Sequence, residues 1–578
     1  FYSFLKNKSL IGRYSGGIKQ PTTNFSDIQS GASFGGPIVK NKLFFFSNIE
    51  FAYRRESLLN EPGTSNSLIP LSVVQQISDT LNSRYNYDPG NFQSEQIERQ
   101  STKVFLRFDY NINQNNNLTL RGNLVNGFAD NLEWTNNSFN FSNQGYRHKS
   151  FNYSIVAELK SQFNQNLYNK LTLSQSKVED SREFDGRVFP HIEIDFDVTN
   201  RIFAGTYREA AVYGATLNTS QITNNLSLYK GKHSFTLGSS LEINDIQYRF
   251  LTAFNGRWQY RSLEDFFNDR PSRIRGVYNI ENNDFEFNKR SPSADFKVLL
   301  GGLYAQDEIR ISDRLNFLLG LRADIQYVPG EFPLSEEIAN TAEFSKFNNK
   351  INSKPQINPR FGFTYDIKDD HSTTIRGGSG IFSGRIPFLW YAYAHYISGT
   401  RYFNVDIRPT GTTPIVEDIS ELAQLQPGLA EINLVDNNFS LPKDWKSSIA
   451  LDKKFGRNTI LTFEASYSNV IKGLLFQSIN SKDSINNFSG ADNRPYFLAT
   501  GNSIKINESF TNVFLLTNTN KGYRYTLTGS ITKSLQKYNG HLAYTYGVSK
   551  DISSTVRNSH AANFEFKPLL LCYFRRRK

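Results

Sequence analysis

The 578-residue sequence contains no methionine and a single cysteine, Cys572. A lone cysteine excludes an internal disulfide and any zinc site built on cysteine pairs. The seven histidines show no ligand spacing such as two at i and i+4. No stretch approaches the roughly 20 consecutive apolar residues of a membrane helix. Mean hydropathy is −0.49 and only 38% of residues are hydrophobic. That absence excludes helical spans but not membrane strands, which expose apolar residues only at alternate positions. Amphipathic helices are scarce, and Leu71–Arg84 is the best candidate. Without an initiator or a basic-plus-apolar leader at Phe1, the expectation is that the sequence starts inside a larger protein.

Chemistry-bearing motifs are also lacking. There is no G-x-S-x-G elbow. Gly-rich pieces such as 376–380 lack the Lys-Ser/Thr ending of a phosphate loop. No catalytic residue, cofactor or resident metal is assigned, and an enzyme is not expected. The net charge of +11 comes with no nucleic-acid motif, so no nucleic-acid partner is expected. Lys and Arg are scattered over turns and polar faces, with four in Arg575–Lys578.

Aromatic residues, by contrast, are abundant at 14%, with 48 Phe and 30 Tyr. Aromatic strands joined by Asn, Gly, Ser and Asp turns are the composition of an all-β protein. From Lys103 to Asn126, Val104, Leu106, Phe108 and Tyr110 alternate with Phe105, Arg107, Asp109 and Asn111. After a turn at Asn113–Asn117, Leu118, Leu120 and Leu124 alternate with Thr119, Arg121 and Asn123. Successive strand side chains point to opposite faces, so this hairpin has one apolar and one polar face. The unit recurs at Leu303–Ile325, Phe361–Ile381, Leu226–Leu241, Ile449–Tyr467 and Tyr523–Tyr546.

Short polar turns alternate with long connections, at roughly 126–150, 179–221, 249–298, 327–357, 384–444 and 471–522. Strands run about 9–12 residues, near the length that crosses a tilted bilayer span. One-sided loop lengths of this kind predict an antiparallel up-and-down transmembrane β-barrel, with short periplasmic turns and long extracellular loops. The soluble alternative is a series of β-sandwiches or a propeller. About 17 strands are expected, the first at Phe1–Leu5 and the last near Gly540–Val548. An odd number does not close such a barrel.

The segment Gly31–Glu50, GASFGGPIVKNKLFFFSNIE, carries a more specific signal. Gly35 and Gly36 permit close backbone approach, and Pro37 suits a position that needs no ladder donor. Lys40, Asn41 and Lys42 make a polar turn into an aromatic run, Phe44, Phe45 and Phe46. This hairpin resembles the first one in the barrel of TonB-dependent outer-membrane receptors of the Oar-like branch. Tyr304–Leu321, Asn358–Ser383 and Asn518–Asp551 look like later hairpins of that family, in the right order. The resemblance covers residues 1–551.

The resemblance implies a 22-stranded barrel in the outer membrane, of which this chain has about 17 strands. It also implies import of a scarce nutrient (a small molecule, glycan or peptide) driven by the TonB complex through a plug. No plug, TonB-engaging segment or regulatory-like β-domain is present in the sequence. The alternatives are a structural or adhesive surface protein and a passive pore. Residues 552–578 break the pattern and are expected to be an atypical tail from a frameshift or truncation.

Three further clusters are candidates. Asp307 and Glu308 are adjacent on a strand, point to opposite faces and cannot act as paired acid and base. One of them is expected to join Arg310 or Arg322. Glu193, Asp195 and Asp197 share a face, where a solvated or Arg-paired arrangement is the main reading and Ca²⁺ the alternative. Pro387–Tyr396, PFLWYAYAHY, is expected at the outer rim. Phe388, Trp390, Tyr391 and Tyr393 would serve there as an interfacial girdle or as a ligand-facing stacking surface.

Overall fold

A computed structural model describes residues 1–578 except 13, 20, 352, 369, 424–429, 457, 483–485, 491–494, 497–503, 553–559 and 561–578. Residues 552–578 therefore lie outside the described residues, apart from Ile552 and His560.

Seventeen strands form one antiparallel meander. They are β1 Tyr2–Asn7, β2 Phe25–Val39, β3 Leu43–Ser57, β4 Gln96–Asn113, β5 Asn116–Asn131, β6 Tyr146–Asn164, β7 Leu167–Glu183, β8 Val212–Lys230 and β9 His233–Leu251. The rest are β10 Ala294–Arg310, β11 Leu315–Tyr327, β12 Gln356–Asp366, β13 Thr373–Ser383, β14 Lys443–Phe455, β15 Thr459–Ser478, β16 Gly522–Ser534 and β17 Asn539–Asp551. Each pairs antiparallel with the next. Among the described residues, β1 pairs only with β2 and β17 only with β16.

Strand parity decides which way each side chain faces. On β4, Leu106 and Phe108 are exposed on the outer face. Arg107, between them, points to the lumen and binds Asp109 through two hydrogen bonds of 2.7 and 2.8 Å. Thr119, across the hairpin, donates to the same carboxylate. On β9 the outward residues Phe235, Leu237, Ser239, Leu241 and Ile243 precede the outward Asp245. On β11 Leu319, Leu321 and Ile325 face out, while Arg322 and Asp324 pair inside at 2.7 Å. The outer face thus carries an apolar band about nine residues tall along each strand, which fits the hydrocarbon core.

From β2 onward the strands run 11 to 20 residues, longer than the expected 9–12. Above the band their outward positions turn polar. Arg147, Asp130 and Glu98 meet there, on the outside of β4, β5 and β6. The apolar alternation ends where the strand leaves lipid, although the ladder continues.

Glycines on the inner face let aromatic rings lie over the backbone. A Cβ at Gly31 would sit 2.6 Å from the Tyr2 ring, whose hydroxyl donates to Glu50 at 2.5 Å. In the β2–β3 turn, Asn41 adopts φ +63° and the Lys42 amide donates to the Val39 carbonyl. A Cβ at Gly35 would meet the Phe45 carbonyl at 3.0 Å, whereas one at Gly36 would meet nothing. The register slips between Pro37 and Val39, so the proline sits at an irregularity in the ladder. Parity divides the aromatic run. Phe45 faces out against Phe34, while Phe44 and Phe46 face the lumen, with Phe46 against Phe105.

A charge on the outer face should be costly. Leu237→Arg is expected to destabilise the folded barrel by ~2–4 kcal/mol, and Thr236→Arg, facing the lumen, by much less. Urea unfolding of both variants in lipid vesicles checks this; equal losses would contradict the assignment of faces.

Candidate functional site

The long connections lie at one end of the barrel and are extensively structured. Segments from four of them form a six-stranded sheet. Its order is Tyr402–Ile407, Arg273–Asn279, Arg257–Tyr260, His191–Asp195, Arg201–Ala204 and Ser138–Asn140. One face is apolar, with Ile192, Ile194, Ile202, Trp258, Ile274 and Val405 all buried. It packs with helix α1, Leu71–Tyr85, through Val74, Ile77 and Leu81. The helix ends at Asn86 in the left-handed region, φ 47°. This cap buries roughly 1.5–3 kcal/mol of apolar transfer per large side chain.

The opposite face of the cap sheet is polar. His191 and Glu193 are buried and hydrogen-bonded at 3.0 Å. Arg257 and Gln259 donate to the same carboxylate at 2.6 and 2.9 Å. Burial opposes the charge on Glu193, but these donors outweigh it and hold its carboxyl well below the ordinary range. Burial pushes the His191 imidazole down. Asp195 binds Arg201 at 2.9 Å, and Asp197 accepts from the Thr199 and Asn200 amides of its own turn. The three carboxylates are therefore committed to separate partners. No group of three metal-ligating side chains occurs among the described residues.

The described residues of the connection 384–442 fold into the mouth of the barrel. Its helix α2, Leu389–Tyr396, carries the aromatic segment. Trp390, Tyr391 and Tyr393 are buried rather than displayed at a rim, and Phe388 is only partly exposed. Trp390 packs edge-on against Phe476 of β15, with ring centroids 5.1 Å apart. Tyr391 accepts a hydrogen bond from Gln326 of β11 at 2.7 Å. Tyr393 and Tyr396 meet Tyr248 of β9, and His395 stacks on Phe296 of β10. Tyr248, Phe296 and Gln326 are on the inner face by parity. The physical reason is composition: eight nearly uncharged residues, aromatic all round, are stable only when enclosed.

A bidentate ion pair anchors this segment. Arg385 donates to both oxygens of Glu242 on β9 at 2.8 and 2.9 Å, and Asn244 donates to the same carboxylate. Glu242 is 6% exposed. Aromatic residues that do occupy the upper outer edge are Tyr327, Trp445 and Tyr467, all exposed. Trp445 and Tyr467 touch, and the indole donates to Ser379. Their isolated positions at strand ends gave no cluster to notice.

The expected Asp307 partner is also different. Asp307 binds His233 at 2.7 Å, near the short turns. Arg310 and Arg322 pair instead with Asp313 and Asp324.

Beneath α2 lies a lumenal cavity of about 690 Å³ against β12–β17. Phe382, Leu474 and Phe476 form apolar parts of its lining, and Arg360, Lys446, Lys472 and Arg524 supply cations.

The sequence profile of the outer membrane beta barrel domain matches residues 60–568. The chain belongs to that family, and it is a β-barrel of the outer membrane. Among solved structures, it resembles the outer membrane transporter YddB from Escherichia coli at 12% identity and a TM-score of 0.57, over 94% of this chain and 57% of that one. It resembles the siderophore receptor PirA from Acinetobacter baumannii at 11% identity and a TM-score of 0.50, over 94% and 61%. A mutant of the ferric enterobactin receptor PfeA from Pseudomonas aeruginosa matches at 12% identity, with a TM-score of 0.50 over the same shares. At these identities the likeness is one of fold. The chain spans about three fifths of the length of these structures. No curated protein matches the sequence.

Two outcomes are expected at this end of the barrel. Arg385→Ala leaves Glu242 buried with its cation removed, a loss of ~1–3 kcal/mol. Limited proteolysis should then cut within 384–442 faster than in the parent; equal protection would show that the aromatic contacts suffice. Acidification should loosen the cap in two stages. The folded His191 value lies below its unfolded ~6.5, so stability is lost as pH falls below that value. Glu193 is likewise depressed, and its contribution goes as pH falls below ~4.3 towards the folded value. Hydrogen exchange across 191–204, corrected for intrinsic rate, should accelerate from pH 7 to pH 5, and His191→Gln should flatten that first stage. An unchanged profile in the variant would assign the loss elsewhere.

Proposed function

We propose that this chain is the barrel portion of an energised outer-membrane importer of the TonB-dependent type, in the Oar-like branch. The observation that carries the reading is the closed mouth. A polar-lined lumen of charged pairs is roofed by a folded cap and by an aromatic helix packed on the inner wall. A passive pore has no use for such a roof. A captured nutrient does, because the loops hold it until the path below opens. The named functions of the structural neighbours, an outer membrane transporter and siderophore receptors, run in the same direction.

In this reading residues 1–551 supply the wall and the capturing loops. The GGP hairpin, with Gly35, Gly36, Pro37, Lys40, Asn41, Lys42, Phe44, Phe45 and Phe46, sits at the end where the short turns lie. TonB would act through a plug that is not among these residues. Trp390, Tyr391 and Tyr393 act as the latch of the mouth, and Phe388 is the member of that group a ligand could reach. The cargo class is a small molecule, glycan or peptide, and no chemical step on it is required.

Deleting the gene in its host tests this. Growth is compared on limiting iron, glycan and peptide sources with that of a strain lacking TonB. The expected result is one nutrient-specific defect shared by both strains. Normal growth on every source, together with lost surface attachment, would replace the importer with an adhesive protein.

A further inference from the structure

The two ends of the barrel treat their cations differently. At the loop end, the outward Arg55, Arg147, Lys149, Lys177 and Lys297 each have a carboxylate at 2.5 to 3.9 Å. At the turn end the carboxylates are committed elsewhere. Asp307 binds His233, Asp313 binds Arg310 and Asp366 binds His371. Asp370 accepts from the Ser372 amide, and Glu308 faces the lumen by parity. Among the described residues, Lys40, Lys42, Lys230, Lys368, Lys533 and Lys537 at this end have no carboxylate within ion-pair distance, and all six are exposed.

Parity and height decide what these ammonium groups meet. Lys230 on β8, Lys453 on β14 and Lys533 on β16 point outward. Each lies two residues nearer the turn than an outward apolar side chain, Leu228, Leu451 or Ile531. Lys453 donates to the Thr373 hydroxyl at 2.6 Å. Lys368 follows the exposed Ile367, and the Lys42 ammonium lies 6.0 Å from the centroid of the Tyr110 ring. A lysine stem laid along apolar surface carries its head to the level where acyl chains end. The cations come from the β2–β3, β12–β13 and β16–β17 turns and from β8, β14 and β16. They are spread along the meander instead of gathered in one patch. Such a spread fits a continuous surface; a single globular partner would meet only a few of them.

We propose that this periplasmic rim binds the phosphates of anionic phospholipids in the inner leaflet of the outer membrane. An ammonium at an anionic bilayer surface gains from the negative potential there, and the gain falls away within a Debye length. The paired cations of the loop end gain little, because their charge is already answered. Anchors of this kind set the depth and tilt of a spanning element. The rim would therefore hold the barrel at one height and recruit anionic lipid around its turn end. The site does not rest on the importer reading, since a pore or an adhesive protein would use it equally.

The test is electron spin resonance on the full chain in phosphatidylcholine vesicles, with spin-labelled phosphatidylglycerol or phosphatidylcholine as probe. Phosphatidylglycerol is expected to associate at least ~5-fold more tightly, with the preference lost in high salt. Lys230→Gln with Lys368→Gln and Lys533→Gln should bring the two lipids within ~2-fold of each other. The same three positions changed to arginine should keep the preference, which separates charge from a general loss of structure. Lys149→Gln with Lys177→Gln, at the loop end, should leave it unchanged. Equal association of both lipids with the parent chain would overturn the proposal whether or not any variant folds. Equal loss in the loop-end variant would also overturn it. So would salt-sensitive sedimentation with purified cell-wall sacculi in the absence of any lipid preference, which would make the cell wall the partner.

Discussion

Backbone amides and carbonyls that cross a bilayer have no water to turn to, so each strand must be satisfied by its neighbours. In this chain that constraint generates the meander of seventeen strands, and the meander positions the rest. Once the ladder is continuous, parity assigns every second side chain to lipid and every other one to the lumen. Leu106 and Phe108 go out and Arg107 and Asp109 go in. The inner face can then hold charged pairs, because it is wet, while the outer face holds them only beyond the apolar band. The registers also fix which pairs form. Arg376 on β13 meets Asp452 on β14, and Thr462 on β15 donates to the same carboxylate.

The part of the fold inside lipid was legible for the same reason. Along β9 the run Phe235 to Ile243 alternates because one face meets hydrocarbon, and the hairpin stands out without any knowledge of its neighbours. Beyond Asp245 the outward positions become polar and the alternation disappears, so the upper strand reads as loop although its ladder runs on to Leu251. The helix at Leu71–Tyr85 was visible through Val74, Ile77 and Leu81 at helical spacing. The cap sheet was not visible. Its strands are three to seven residues long and come from separate connections. His191–Ile194 pairs in parallel with Arg257–Tyr260, more than sixty residues away. No local pattern records such a pairing.

The aromatic helix is a case where composition was read correctly and location was not. A run such as PFLWYAYAHY suits a membrane girdle, a stacking platform or a buried core equally well, because all three reward large rings with an occasional hydroxyl. What separates them is which surface is nearby, and that follows from tertiary placement. The Glu193 group shows the converse. Alternation correctly placed Glu193 and Asp195 on one face, but the arginines that claim them, Arg257 and Arg201, come from other strands of the cap.

A roof built this way has two separable jobs. Burying Trp390, Tyr391, Tyr393 and Tyr396 stabilises the helix in the mouth by roughly 1.5–3 kcal/mol per large side chain. Apolar burial is non-directional and would accept several placements of the helix. The polar anchors, Arg385 on Glu242 and Gln326 on Tyr391, choose one of them. Opening therefore cannot be driven by a ligand that binds the cap equally well in both states, because such a ligand shifts no population. It requires a solute that gains contacts only when α2 has moved.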